Sequence, residues 1–295
     1  MLAVFGQVLV AHVAHAGTDC HHERHQAKLG NGLSGSKIHR VASLKVQSHI
    51  ALIFDEQTQS PLYSKNSETV VPIASITKLM TAMVMLDAKL PMDEEVSVEE
   101  DELNRIKRAR SRLRVGVTLT RSEMLKLALM ASENRAALAL ARSYPGGVPA
   151  MVVAMNAKAR VLGMDNTRFF DPTGLDSDNV STAQDLVKMV AAASHYALIH
   201  QYTTSTSHSV DGARGRTMRF SNTNPLVKNA SWEIGVSKTG FINEAGRCLV
   251  MEATINQRPV IIVLLDSWGK RTRVGDANRI KKWMESASSL NLRNG

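Results

Sequence analysis

The sequence predicts an α+β fold in which strand-forming segments at the two ends of the chain flank a helical middle. Three observations lead there. Near the N-terminus, the apolar run from His49 to Asp55 and the segment Leu62-Tyr63-Ser64, which follows a Ser60-Pro61 turn, read as a hairpin. Between Pro91 and about Asn224, apolar residues recur mostly at helical spacing. Beyond that, Ile234 to Phe241, Cys248 to Ile255 and Val260 to Asp266 are separated by Asn243-Glu244-Ala245-Gly246 and Asn256-Gln257-Arg258-Pro259, the pattern of an antiparallel meander. A closing helix follows, with Ile280, Trp283 and Met284 on the face that packs and Arg279, Lys281 and Lys282 on the wet side.

Ahead of the hairpin, Met1 to Ala16 is short and apolar and ends in Ala14-His15-Ala16, a small-residue cleavage pattern. It lacks a basic start, so an ordinary hydrophobic arm is the competing reading of an export signal. Residues 17–45 are polar and carry Gly30, Gly32 and Gly35, which marks a flexible leader. Cys20, His21, His22 and His25 stand together there, but Gly, Ser and charged neighbours describe a tail, and no metal is assigned to them. The two cysteines fit an exported protein without requiring a disulfide. No other stretch is long enough to span a bilayer.

The 295 residues, 44% of them hydrophobic, suffice for a real core and exclude a disordered chain. A net charge of +9 favours polyanionic surroundings, whether nucleic acid, anionic lipid or an acidic wall polymer. Six basic residues and no acid lie between Arg105 and Arg114, either a solvated face or an anchor on an acidic polymer. No aromatic residues interleave them, which argues against single-stranded nucleic acid.

The first hairpin leads into Ala74-Ser75-Ile76-Thr77-Lys78-Leu79-Met80, and this stretch organises the chemistry. Ile76, Leu79, Met80, Met83 and Val84 describe a buried helix reaching Leu90-Pro91, and Ser75 and Lys78, three apart, share one of its faces. A serine becomes a nucleophile when a base takes its proton, and a lysine serves if burial or neighbouring positive charge lowers its pKa. The unpaired N–H groups at a helix start suit an oxyanion, so the pair reads as acyl transfer. Ser34 to Lys37 and Ser267 to Lys270 repeat the spacing, but neither heads a patterned helix.

A capping box, Thr120-Arg121-Ser122-Glu123, opens another apolar helix that ends at Ser132-Glu133-Asn134, where a second helix begins. The meander opens with Lys238-Thr239-Gly240, which by itself reads as an edge strand whose glycine admits another backbone. Ser177-Asp178-Asn179, Ser64-x-Asn66 and Ser289-x-Asn291 share the spacing of the middle element. Ser132 is preferred because it sits between two helices, whereas Ser177 follows the turn-rich Asp171-Pro172-Thr173-Gly174-Leu175.

Ser-x-x-Lys, Ser-x-Asn and Lys-Thr-Gly in that order form the signature of penicillin-binding proteins and class A β-lactamases. From about His49 to Trp283 the chain resembles the low-molecular-weight penicillin-binding proteins of the D-alanyl-D-alanine carboxypeptidase and endopeptidase family. Asp171-Pro172-Thr173-Gly174-Leu175 and the run from Lys238 to Cys248 are similar to its penicillin-binding protein 7 type of endopeptidase. The resemblance implies one five-stranded antiparallel sheet flanked by helices, a β-lactamase/transpeptidase-like fold, with an all-helical lobe at about 80–224 inserted into a serine peptidase domain at 46–288. It also implies that Ser75 is the acyl-forming nucleophile, Lys78 its general base and Ser132 the proton relay to the leaving amine. Asn134 would then bind a substrate amide, Lys238 add charge over Ser132, and Thr239 bond the substrate's carboxylate side. Gly240 and Phe241 complete the substrate strand, the N–H groups of Ser75 and Phe241 form the oxyanion hole, and Arg273 resembles a carboxylate anchor. On physical grounds Lys78 and Lys238, converging on one pocket, are expected to lower each other's pKa.

The partners implied are peptidoglycan stem peptides and β-lactam antibiotics, with no nucleic acid, no metal or cofactor, at most peripheral membrane contact, and a periplasmic location. Endopeptidase is favoured over carboxypeptidase by the local resemblance and because the chain ends at Gly295 soon after the packing helix, without an amphipathic anchor. A β-lactamase is the near rival. Glu100-Asp101-Glu102-Leu103-Asn104 spells the motif of its deacylating glutamate, but that motif precedes the middle element here, whereas in β-lactamases it follows. A non-catalytic wall-tethering module that keeps the fold is the rival from another class.

Overall fold

A computed structural model describes residues 43–100, 111–211 and 217–291, with side chains as far as residue 286. The expected signal segment and the leader up to residue 42, with its Cys/His cluster and the Ser34 copy, lie outside the described residues. So do 101–110, which hold most of the basic segment and of the Glu100 to Asn104 motif, and the side chains of Ser289 and Asn291.

The hairpin and the meander meet in one antiparallel sheet of five strands. These are β1 (Ile50–Asp55), β2 (Ser60–Lys65), β9 (Glu233–Ile242), β10 (Gly246–Ile255) and β11 (Arg258–Ser267), in the order β2-β1-β11-β10-β9. The central strands read as near-continuous Ile, Val and Leu because both of their faces are covered. Ile50, Leu52, Val250, Ile261, Val263 and Leu265 face a core shared with the inserted helices. Alternate residues, Ala51, Ile53, Leu249, Met251, Ile262 and Leu264, face Ala277, Ile280 and Met284 of the closing helix α7 (Thr272–Asn291). Pairings such as Leu52 with Val263 and Ile53 with Ile262 keep the two sets in register, since a slip of one residue would exchange the faces.

Helix α1 (Lys78–Asp87) runs through the first core with every residue from Lys78 to Met85 buried. It stops short of the expected Leu90. Ala88 caps it and Lys89 takes φ +51°, a left-handed turn that ends the hydrogen-bond ladder. The inserted region carries α2 (Arg121–Met130), α3 (Asn134–Arg142), α4 (Gly147–Val161), α5 (Ala183–Ser194) and α6 (Ala197–Thr204). The Thr120/Glu123 capping box is formed.

This region is not wholly helical, as the sequence had suggested. β3 (Val71–Pro72) pairs with β6 (Val180–Ser181), β4 (Glu95–Ser97) with β5 (Thr118–Thr120), and β7 (Ser207–Asp211) with β8 (Thr217–Ser221). Strands of two to five residues are too short for a period-2 pattern to stand out. Arg112, from the basic segment, is more than a solvated charge. It donates to the Arg219 carbonyl at 2.7 Å and lies 4.2 Å over the Phe220 ring, which holds it on β8.

Candidate active site

Ser75 does not lie on α1 itself. It sits in a single 3-10 turn, Ala74–Thr77, that feeds the helix, so the i, i+3 approach to Lys78 uses the tighter helix, in which residues three apart eclipse. The turn is clamped from three sides. Thr77 Oγ1 donates to the Ala74 carbonyl at 2.8 Å, and Ala74 adopts φ +48°. The Asp171 loop presses from below: a Cβ on Gly174, whose φ is +77°, would stand 1.9 Å from the Ala74 carbonyl oxygen. Strand β9 closes the third side, where a Cβ on Gly240 would stand 2.9 Å from the Ile73 carbonyl oxygen and 3.2 Å from the Ser75 nitrogen. Both glycines are therefore required by close backbone approach.

Lys78 is 1% exposed, and its Nζ bonds three oxygens: Ser75 Oγ at 2.8 Å, Asn134 Oδ1 at 2.7 Å and the Thr173 carbonyl at 2.6 Å. Asn134 begins α3, just past the turn at Ser132, which holds φ +59°. A serine in the left-handed region is strained, and such strain persists only where the surroundings enforce it. Lys238, also 1% exposed, donates from Nζ to Ser132 Oγ at 2.9 Å and to the Thr239 carbonyl at 3.0 Å. Residues 75, 78, 132, 134 and 238 thus form one cluster, joined through the peptide from Ser132 to Asn134.

Burial lowers the Lys78 pKa to about 7, against the opposing pull of the Asp171 and Glu133 carboxylates. Burial is the largest cause, and the like-charge repulsion expected between the two lysines acts at Lys238. Lys238 itself is pushed well below its ordinary range, first by burial and then by Lys78 and Arg273. A lysine with a pKa near 7 spends much of its time neutral and can take a hydroxyl proton.

The rest of the predicted set lies on the neighbouring strand β9 and, for Arg273, in the first turn of α7. Thr239 Oγ1 donates to Thr223 Oγ1 at 2.7 Å, and the Thr223 N–H donates to the Met130 carbonyl at 3.1 Å, tying β9 to the end of α2. Phe241 is half exposed. Arg273, the expected carboxylate anchor, donates from Nη1 to the carbonyls of Gly240 at 2.8 Å and Cys248 at 2.9 Å. It props the strand at the site's edge. β9 is an outer strand of its sheet, so one of its backbone edges is open to an extended ligand.

Several participants had no sequence signal strong enough to nominate them. The Thr173 carbonyl belongs to the Asp171 loop, which the sequence marks as a turn but not as a lysine acceptor. Asn179, from the rejected Ser177-Asp178-Asn179 element, is wholly buried and holds that loop. Its Nδ2 donates to Thr77 Oγ1 at 3.1 Å and to the Asp171 carbonyl at 2.8 Å, and its Oδ1 accepts from the N–H of Phe170 at 2.7 Å. Glu133 is 7% exposed with Oε1 unpartnered, and Thr223 gave no signal at all.

Among the described residues no three His, Cys, Asp or Glu side chains are grouped to hold a metal, and no helix is long and apolar enough to cross a membrane.

Residues 37–269 match the family model described as D-alanyl-D-alanine carboxypeptidase. A D-alanyl-D-alanine endopeptidase of Pseudomonas aeruginosa is 51% identical over 243 residues, covering 82% of this chain and 78% of that one. Its Escherichia coli counterpart is 48% identical over 247 residues, covering 83% and 80%. The crystal structure of the Streptomyces K15 DD-transpeptidase superposes with a TM-score of 0.75 at 29% identity, over 81% of this chain and 97% of that one.

Proposed function

The chain belongs to the D-alanyl-D-alanine carboxypeptidase family, and from that premise we propose that it is a serine endopeptidase of peptidoglycan, cutting D-alanyl cross-links between stem peptides through an acyl-enzyme on Ser75 and acylated there by β-lactams. One observation carries the chemistry: a buried amine with a pKa of about 7 lies 2.8 Å from the Ser75 hydroxyl.

The scissile peptide lies along the open edge of β9. Neutral Lys78 takes the Ser75 proton as Oγ bonds to the D-alanyl carbonyl carbon. The N–H groups of Ser75 and Phe241 receive the oxyanion. Collapse breaks the carbon–nitrogen bond, and the Ser132 hydroxyl hands its proton to the departing amine. The ammonium formed on Lys78 then restores the Ser132 proton. Water repeats the attack on the ester, with Lys78 again accepting a proton, and frees the carboxylate and Ser75. Asn134 fixes the Lys78 amine and leaves its own amide nitrogen for substrate, while Lys238 orients Ser132. Lys238 and the hydroxyls of Thr239 and Thr223 make the strand end hospitable to a carboxylate. We place the reaction in the periplasm, where such a substrate is found.

Purified protein incubated with cross-linked muropeptide dimers tests the proposal. Dimers are converted to monomers by the wild type and not by Ser75→Ala, and labelled penicillin attaches covalently only to the wild type. Loss of a terminal D-alanine without dimer cleavage would make it a carboxypeptidase, rapid multiple turnover of nitrocefin a β-lactamase, and no labelling at all a binding module.

A further inference from the structure

The same end of the sheet that brings Phe241 to the site carries a second feature that the chemistry above does not use. Four strand ends lie side by side there. Arg247 of β10 faces Phe241 of β9 on one side and Ser267 of β11 on the other, and the His49 N–H donates to the Asp266 carbonyl at 3.3 Å. Trp268 follows directly, and it is 73% exposed, more than any aromatic residue of the core would tolerate. Gly269, at φ +77°, turns the chain, and Thr272 Oγ1 bonds the Trp268 carbonyl, so the indole is displayed from a closed turn with Lys270 and Arg271 exposed beside it.

Phe241, 50% exposed, lies under the Arg247 guanidinium at 4.4 Å. His49 approaches the indole with ring centroids 6.2 Å apart, and its Nδ1 is 2.7 Å from Asp266 Oδ2. The ledge is continuous with the active site: Arg273, two residues past the exposed Arg271, bonds the Gly240 carbonyl, and Gly240 abuts the Ser75 nitrogen.

We propose that the ledge formed by Trp268, Lys270, Arg271, Arg247 and Phe241 is a subsite for the sugar chain from which the stem peptide hangs. The inference rests on the peptidoglycan assignment above. A pyranose ring has one face of C–H bonds that lies flat on an aromatic ring, and its hydroxyls and acetamido groups then reach the charged groups around it. The Arg247 guanidinium lies over the Phe241 ring at 4.4 Å, and exposed Lys270 and Arg271 follow Trp268 around its turn. The stem peptides carry free carboxylates, which the cations of the ledge complement. A substrate cut at Ser75 is tethered to such a chain.

The test compares cross-linked dimers that retain their amino sugars with the same dimers stripped of sugar by an amidase. In the wild type, kcat/KM is higher for the sugar-bearing dimer. Trp268→Ala lowers kcat/KM for that dimer about tenfold, the scale of truncating one aromatic contact residue, and leaves the stripped dimer within twofold. Trp268→Phe restores most of the difference. Equal losses on both substrates, or none on either, would overturn the subsite. Penicillin labelling of the same preparations separates the two readings: normal labelling without a sugar effect refutes only the ledge, whereas an unlabelled wild type refutes the peptidase.

Discussion

The acylation rate should titrate with Lys78, and the structure fixes where. With a pKa of about 7, about half of the molecules hold a neutral amine at pH 7, about 1% at pH 5 and nearly all at pH 9. An exposed lysine near 10.5 would be neutral in only about three molecules in ten thousand at pH 7, so burial of this one side chain raises the population of the competent base about a thousandfold. The second-order rate constant for acylation by a fluorescent penicillin, measured by stopped flow, should therefore climb about a hundredfold from pH 5 to pH 9, with its midpoint near 7.

The sign of the neighbouring charges gives a sharper version. Glu133, 7% exposed with one oxygen unpartnered, favours the charged amine. Glu133→Gln removes that pull, so Lys78 loses its proton more readily and the midpoint moves to lower pH. A profile flat within about threefold between pH 5 and 9, one still rising beyond pH 10, or a midpoint driven upward by Glu133→Gln would refute Lys78 as the base under the control of burial.

Two further outcomes follow from the packing of the site. Gly174→Ala forces a methyl against the Ala74 carbonyl from a backbone angle that alanine resists. It should cost about 2–4 kcal/mol in urea unfolding and lower penicillin acylation at least about tenfold; wild-type stability and labelling would show that the loop does not clamp the Ser75 turn. Thr223→Val keeps the shape but deletes the hydroxyl that Thr239 Oγ1 bonds at 2.7 Å, so kcat/KM on peptide should fall about tenfold, with a stability cost of about 1 kcal/mol. An unchanged kcat/KM would remove Thr223 from the site.

Local patterns carried a large part of this molecule. The strand runs, the capping box before Arg121 and the apolar spacing after Ser75 are dictated by side-chain chemistry over a few residues, and they placed the sheet strands and the helices on both sides of Ser132. The three short motifs named the reacting groups because the chemistry needs those residue types at those spacings. Tertiary structure alone decided the rest. It put Ser75 in a 3-10 turn, brought the Thr173 carbonyl onto Lys78 across 95 positions, set Asn179 beneath the turn across 102, and gave Thr239 a partner in Thr223. It also gave Arg273 the carbonyls of Gly240 and Cys248 as partners, and it closed the protein over Lys78, the largest cause of that amine's low pKa. Hydrogen bonds between distant loops leave no periodicity in the chain, and desolvation depends on how many atoms close over a group. Both exist only once the chain has folded.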